Sequence, residues 1–333
     1  MYIKNTLYWI YKQDRRKFLF NTSKQLSHIN HKSSAFIMLD MLYCSLVYGC
    51  MFTEYGDLQF YYRSRKNRKT YLTTFYNFDL YDKVNDKGSR ILFHDKLLFL
   101  HRFSKYIKRG WLNLDECNDS EINTFLEGKK SIVLKASYGD SGKEVLVMDI
   151  DNATNASSIR ELCKESHFNL VEECVINHNE ISRFNKNSLN TLRIVSMLKG
   201  TEVKILFAGL RVGAKDARID NISQGGRVAR INIETGTIDS PFFTKKSSNQ
   251  PSQCNNELNA IGFEIPYWHS TLKLVNEVAL EAKETRFIAW DIAITPSGPE
   301  IIEANESFGS VIMQLYNKKT EDGLKPIVEK FFK

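Results

Sequence analysis

The residues best suited to chemistry lie near the C-terminus, in the stretch FIAWDIAITPSGPEIIEANES at positions 287–307. Two runs rich in β-branched residues flank Pro296-Ser297-Gly298, and that turn chemistry predicts an antiparallel hairpin. Such a hairpin brings Asp291 beside Glu303 and Asn305, and the two-residue period of a strand turns Glu303 and Asn305 to one face. Two carboxylates and an amide are the hard oxygen donors that Mg2+ takes while keeping waters and substrate phosphates in its other positions. The group is therefore fit for nucleoside triphosphate chemistry. The same residues also read as the polar outer face of an ordinary hairpin. Under either reading Trp290, Ile292, Ile301, Ile302 and Ala304 put a core on the opposite face.

Upstream, SIVLKASYGDSGKEVLVMDI at 131–150 reads as two strands separated by a small loop carrying Gly139, Ser141 and Gly142. Glycine lets backbone N–H groups approach a triphosphate closely, although a glycine-containing hairpin turn has the same composition. Neither a Walker nor a dinucleotide-binding spacing is present. Lys135 ends the strand before the loop and Lys96 opens the preceding helix, so two ammonium groups stand in reach of the same phosphates.

The elements that must position these residues fall into two textures. Residues 1–90 look helical, aromatic-rich and basic, with 15 Lys and Arg against 7 Asp and Glu; the remainder holds 31 against 32. The whole charge excess is thus N-terminal. Its dense runs, Arg15 to Lys17 and Arg63 to Lys69, suit phosphates of nucleic acid, an anionic lipid or a phosphate-bearing substrate, or form a solvated face. The apolar segment 34–52 is broken by Asp40 and too short to span a bilayer, which takes about 20 apolar residues. Beyond residue 90 the pattern predicts helices at 95–109, 119–127, 156–165, 269–283 and 321–332. Strands are predicted at 131–135, 145–150, 170–175, 192–198, 203–212, 227–233, 287–295 and 300–304. Turns at 199–200, 235–236 and 296–298 make much of the sheet antiparallel, so this part is α+β.

Composition narrows the class. With 42% hydrophobic and 26% charged residues, the chain is neither disordered nor membrane-embedded. The six cysteines form no CxxC pair and no secretory signal opens the sequence, which predicts a reducing cytoplasm. The seven scattered histidines give no zinc-ligand spacing.

In order, these features are a strand ending in lysine, a glycine loop, a second strand, LVEECV at 170–175, LNTLRIV at 189–195, then Asp with Glu-x-Asn. This order resembles the ATP-grasp superfamily. Together with DKLLF at 95–99, LRVG at 210–213, IDNISQGG at 219–226 and IPYW at 265–268, the chain is similar to the sugar-transfer-associated ATP-grasp family of bacterial polysaccharide biosynthesis, from about residue 55 onward. The resemblance implies an ATP-grasp fold, two α+β subdomains with antiparallel sheets clasping ATP, after a mainly helical N-terminal region. Expected boundaries are 1–90, 91–175 with the glycine loop, and 176–333 with the metal-binding and catalytic residues. It further implies that Lys96, Lys135 and the Gly139, Ser141, Gly142 loop hold ATP phosphates. The hinge strand Glu172, Glu173, Cys174 and Val175 would read adenine, and Glu180 the ribose. Asp291, Glu303 and Asn305 would carry Mg2+, while Asn190, Arg193 and Arg211 face the reacting groups. Ala136 stands where many superfamily members have proline, and the helical region replaces their usual leading domain.

The activity so implied is an ADP-producing ligase that forms an amide from a carboxylate and an amine through an acyl phosphate, with a hexuronic acid in a surface polysaccharide as one partner. Arg63, Arg65 and Arg68 would then bind the phosphates of a nucleotide-linked or lipid-linked sugar. No nucleic-acid partner is expected, and the basic region leaves peripheral contact with the inner face of the membrane open. A small-molecule kinase on the same fold, and a non-catalytic nucleic-acid or membrane-surface binder on a degenerate scaffold, are the alternatives.

Overall fold

The computed structural model describes residues 2–11, 13–139, 145–215, 225–244, 253–255, 259–317 and 321–333. Ser141, Gly142 and most of the IDNISQGG stretch lie outside them.

Helices α1 (Ile3–Tyr11), α2 (Gln13–Asn30), α3 (Ser34–Tyr48), α4 (Phe52–Asp57), α5 (Arg65–Arg68) and α6 (Thr74–Val84) build the N-terminal region. Here α3 starts where the Ser33 hydroxyl accepts from Phe36 N and stops at Gly49, whose φ of 71° a side chain would resist. Leu26, Ile37, Met41, Tyr55, Phe60 and Tyr71 form its core. Two cations expected on its surface are instead inside it. Arg63 donates to the carbonyls of Leu58 (2.7 Å) and Asn317 (3.0 Å), and Arg68 forks onto Asp40 at 2.7 and 2.9 Å. Both are nearly inaccessible, at 4% and 7% exposure, so Arg63 and Arg68 cannot serve as a phosphate patch and the expectation for them is corrected. The acceptors draw them inward: the Leu58 and Asn317 carbonyls need a donor, and the half-buried Asp40 carboxylate needs a partner.

After α7 (Ile91–His94) comes α8 (Lys96–Arg102), capped by Asp95, whose carboxylate accepts from Leu97 N and Leu98 N. It ends well short of residue 109, because a 3-10 turn at Ser104–Tyr106 and the strand β1 (Trp111–Asn113) follow. Then come α9 (Asp119–Leu126), β2 (Ser131–Lys135), β3 (Val145–Asp149), α10 (Ala156–Ser166), β4 (Leu170–Glu173) and α11 (Asn179–Ser182). Asn118 with Glu121, and Asn155 with Ser158, close capping boxes that start α9 and α10. The remaining strands are β5 (Thr191–Lys199), β6 (Glu202–Val212), β7 (Arg227–Arg230), β8 (Phe242–Thr244), β9 (Gln253–Asn255), β10 (Phe287–Thr295) and β11 (Gly298–Asn305). Helices α12 (Trp268–Glu281), α13 (Val311–Gln314) and α14 (Lys325–Phe332) complete the chain.

Among the described residues the strands form a four-stranded sheet, ordered β1-β4-β2-β3, and a seven-stranded sheet, ordered β11-β10-β5-β6-β7-β8-β9, with every pairing antiparallel. The α+β expectation holds, while β1, β8 and β9 are three-residue strands that the sequence pattern leaves out.

One face of the larger sheet packs Leu192, Ile194, Leu210, Trp290 and Ile292 against Phe99 and Phe103 from α8 and its C-terminal cap, and against Val275 and Val278 of α12. Its other face is divided lengthwise. Toward one end Val195, Met197, Phe207, Phe287 and Ala289 meet α6 and α14 through Leu80, Tyr81, Val84 and Phe331. Further along the same strands the residues turn polar, and that half faces the smaller sheet.

Candidate active site

A cavity of about 890 Å³ lies between the polar half of the large sheet and the small sheet. Strand register builds its floor. Arg193 on β5 is paired with Asp291 on β10, and Asp291 with Glu303 on β11, so one row across three strands carries a cation and two carboxylates. Arg211 on β6, opposite Thr191 of β5, joins the same face from the next row. Asp291 is buried at 2% exposure and is gripped by Arg193 through Nε (2.5 Å) and Nη2 (2.9 Å), and by Arg211 Nη1 at 2.9 Å. Burial alone would raise its pKa, but the two guanidiniums outweigh it and hold Asp291 below the ordinary carboxylate value. For Glu303 the balance reverses. Enclosure by protein and the adjacent Asp291 carboxylate push its pKa up, with Arg193 and Arg211 only partly offsetting them. Glu303 nonetheless presents its surface to the open cavity.

The pairing slips between Asp291 and Ile292, leaving Ile302 as an extra residue in β11. Ile302 therefore lines the cavity, a correction to its expected place in the core, whereas Trp290, Ile292, Ile301 and Ala304 do belong to the core. Asn305, beyond the bulge and opposite Ala289, also lines the cavity, and its Nδ2 is buried without a hydrogen-bond partner.

The opposite wall comes from the small sheet. Lys135, at the end of β2, is in close ion pair with Glu172 of β4. Burial would raise the Glu172 pKa, but Lys135 and Arg109 bring it down to about 2. Arg109 is itself buried, with Nε and Nη2 at 2.9 and 2.8 Å from Glu172 Oε1. Its remaining N–H groups cross to β11, onto Glu300 (3.0 Å) and the carbonyls of Ile301 (2.8 Å) and Ile302 (3.1 Å). A single guanidinium thus bolts the two sheets together. Lys96, first residue of α8, lays its ammonium on the carbonyls of Ala136 (2.9 Å) and Gly139 (3.2 Å), where the glycine loop begins.

Glu173, Cys174 and Val175 line the cavity beside Glu172. The Glu173 carboxylate accepts from Gly110 N (2.7 Å) and pairs with Lys129 (3.1 Å), and the backbone N–H leads in lowering its pKa.

Two expected residues are not on the cavity wall. Glu180 is exposed and paired with Arg183 at 3.2 Å. Asn190 is 1% exposed, its amide donating to the carbonyls of Ile181 (3.2 Å) and Asn185 (2.9 Å) and accepting from Ser188 (2.8 Å), so it braces the segment leading into β5. Conversely, Arg109 and Lys186 line the cavity without having been singled out in the sequence. The helical pattern over 95–109 hides Arg109, and Gly110 is the one local sign that the helix has already ended. Among the described residues no three His, Cys, Asp or Glu side chains converge as a metal cluster.

Two antiparallel sheets closing on such a cleft, with the lysines on one side and the carboxylate row on the other, constitute the ATP-grasp fold. The model of the sugar-transfer associated ATP-grasp family matches residues 71–331, and the chain belongs to that family. No curated protein matches it in sequence. Among solved structures, an ADP complex of N5-carboxyaminoimidazole ribonucleotide synthetase is similar at 12% identity, covering 67% of this chain and 48% of that one, with a TM-score of 0.41. D-alanine-D-alanine ligase from Coxiella burnetii aligns at 12% identity over 66% of this chain and 50% of its own, with a TM-score of 0.38. The ATP-grasp ligase PsnB with a minimal precursor, Mg and ADP aligns at 11% identity over 80% and 68%, with a TM-score of 0.42. The chain spans about half the length of the first two.

Proposed function

We propose that this protein is an ADP-producing ligase that binds Mg2+ and ATP, activates a carboxylate as an acyl phosphate and joins it to an amine. The observation that carries the reading is the row Arg193, Asp291, Glu303, facing Lys96 and Lys135 across one cavity. Residues 91–175 then act as the lysine-bearing subdomain and 176–333 as the carboxylate-bearing one, with 1–90 as an added helical region.

The residues present fit Mg2+. Asp291 and Glu303 are neighbouring carboxylates whose pKa values are driven apart, and a cation beside them would relieve their repulsion. The Asn305 amide has its nitrogen buried and unsatisfied, and turning the amide over puts an oxygen in that place. When bound, the ion supplies charge neutralisation on the β- and γ-phosphate oxygens.

Lys135 and Lys96 hold phosphate oxygens, with Gly139, Ser141 and Gly142 closing over them. Glu172 holds Lys135 in place through their ion pair. Cys174 and Val175, just beyond the ladder of β4, offer backbone to the adenine. Arg193 and Arg211 orient the acid and stabilise charge on the transferring phosphoryl group, which is mainly electrostatic work. Free Cys44, Cys50, Cys117, Cys163 and Cys174 suit a reducing cytoplasm. The family's sugar-transfer association favours a sugar acid, such as a hexuronic acid free or nucleotide-linked, as one partner.

The test is a coupled ADP-release screen of hexuronic acids, their nucleotide-linked forms and amino acids, with mass spectrometry of the product. An amide whose formation stops in Asp291→Ala and Glu303→Ala is expected. A phosphoester product, or ADP release indifferent to both substitutions, overturns the reading.

A further inference from the structure

The N-terminal helices carry a surface that the cavity does not use. In α1, Ile3, Leu7 and Tyr11 recur at helical spacing on one outward stripe, at 48%, 59% and 86% exposure. Outward on α2 stands Phe20, and on α3 Phe36 and Leu39, each at least half exposed. Large apolar side chains left in water over neighbouring helices call for a covering partner.

The charge around them identifies its chemistry. Residues 2–39 contain seven Lys and Arg and a single acid, Asp14. Lys4, Arg16, Lys17, Lys24 and Lys32 are exposed. Two of these cations lie over the exposed rings themselves, Lys24 Nζ 4.4 Å from the centre of Phe20 and Lys32 Nζ 5.2 Å from that of Phe36. Asp40, the next acid, is committed to Arg68 and Tyr55.

From these contacts we infer that α1–α3 dock the protein on an anionic lipid bilayer, the rings and aliphatic groups entering the headgroup boundary and the cations meeting lipid phosphates. Interleaved aromatic and basic side chains on short helices are the chemistry of helices that lie in an interface. Among the described residues no helix is long and apolar enough to cross a membrane, so the helices lie on the bilayer. A second copy of the chain is the poorer occupant. A two-fold interface would set this cationic surface against itself. The inference stands apart from the reaction assigned above.

Flotation of the full chain with vesicles tests it. Binding is expected to vesicles containing phosphatidylglycerol and not to pure phosphatidylcholine, and is expected to fall steeply between about 0.1 M and 0.5 M salt. Replacing Arg16, Lys17 and Lys24 by Gln should weaken partitioning about a hundredfold, at roughly one kcal/mol per cation. Leu7→Ser with Tyr11→Ser should weaken it with the cations intact, and all these positions are exposed, so circular dichroism should be unaltered. Equal binding to both vesicle types, no binding by the folded protein, or dimerisation abolished by the same substitutions would each overturn the inference.

Discussion

Arg109 and Glu172 meet with two guanidinium nitrogens on one carboxylate oxygen, both side chains almost wholly buried, at the seam of the two sheets. Each group would be intolerable there alone. Arg109→Leu therefore strands Glu300 and leaves Glu172 with Lys135 as its one cation, and should cost about 3–5 kcal/mol. The melting temperature should fall by roughly 10 °C. Arg109→Lys keeps the charge without the fork and should fall between. Thermal unfolding by circular dichroism measures both.

Lys135 and Arg193 make separable predictions on turnover. Under the proposed function Lys135 holds ATP phosphates, so Lys135→Met should raise the KM for ATP about tenfold or more. Arg193→Lys retains a positive charge but cannot fork onto Asp291 or a substrate oxyanion, and should lower kcat about a hundredfold with a smaller change in KM. Steady-state kinetics with ATP varied at saturating acid and amine would separate the two.

Glu54 predicts an opposite pH response from that of Glu172. It is 4% exposed, and burial outweighs its hydrogen bonds from Thr74 and Met51 to push its pKa up to about 7. A carboxyl that binds its proton more tightly when folded adds stability fully present below its unfolded pKa of 4.5 and lost as pH rises through 7. The loss is on the order of 3 kcal/mol. Glu54→Gln, which cannot ionise, should flatten the stability profile over that window in urea titrations. Glu172, held at about 2, adds stability above the ordinary carboxylate range that disappears only as pH falls toward 2.

Gly323 tests how the two ends of the chain fit. A methyl group there would sit 2.5 Å from Thr70 O and from Tyr71 Cα, both backbone atoms that cannot swing aside. Gly323→Ala should destabilise by about 1–3 kcal/mol. Gly309→Ala, with nothing within 4 Å, should stay within about 0.5 kcal/mol of the parent.

How legible these features are in the sequence follows from their range. The β10–β11 hairpin is local, so its turn residues and alternation suffice to foresee Asp291 opposite Glu303. Strand β2, exact to the residue, is a short β-branched run with sharp edges. The bulge at Ile302 escapes because it depends on how β11 meets its neighbour rather than on its own residues. Arg109 escapes for the same reason, since its partners lie 63 and 191 residues away. Arg63 and Arg68 mislead because charge density along a sequence says nothing of which cations turn inward. Short edge strands such as β8 and β9 owe their pairing to the sheet beside them.

Helix α6 and the residues just before it are tied to the far end of the chain. Leu72 bonds Gln314, Asn77 bonds Ser310 at 2.6 Å and Tyr81 bonds Phe308 O at 2.5 Å, partners 227 to 242 residues distant. At about 5–20 residues per second of synthesis, a nascent chain carries this segment unpartnered for roughly ten to fifty seconds. Leu80, Tyr81 and Val84 then wait in water for the sheet that will cover them. This seam is closed only when α14 leaves the ribosome, and a chain stalled or clipped before it leaves α6 holding an open face.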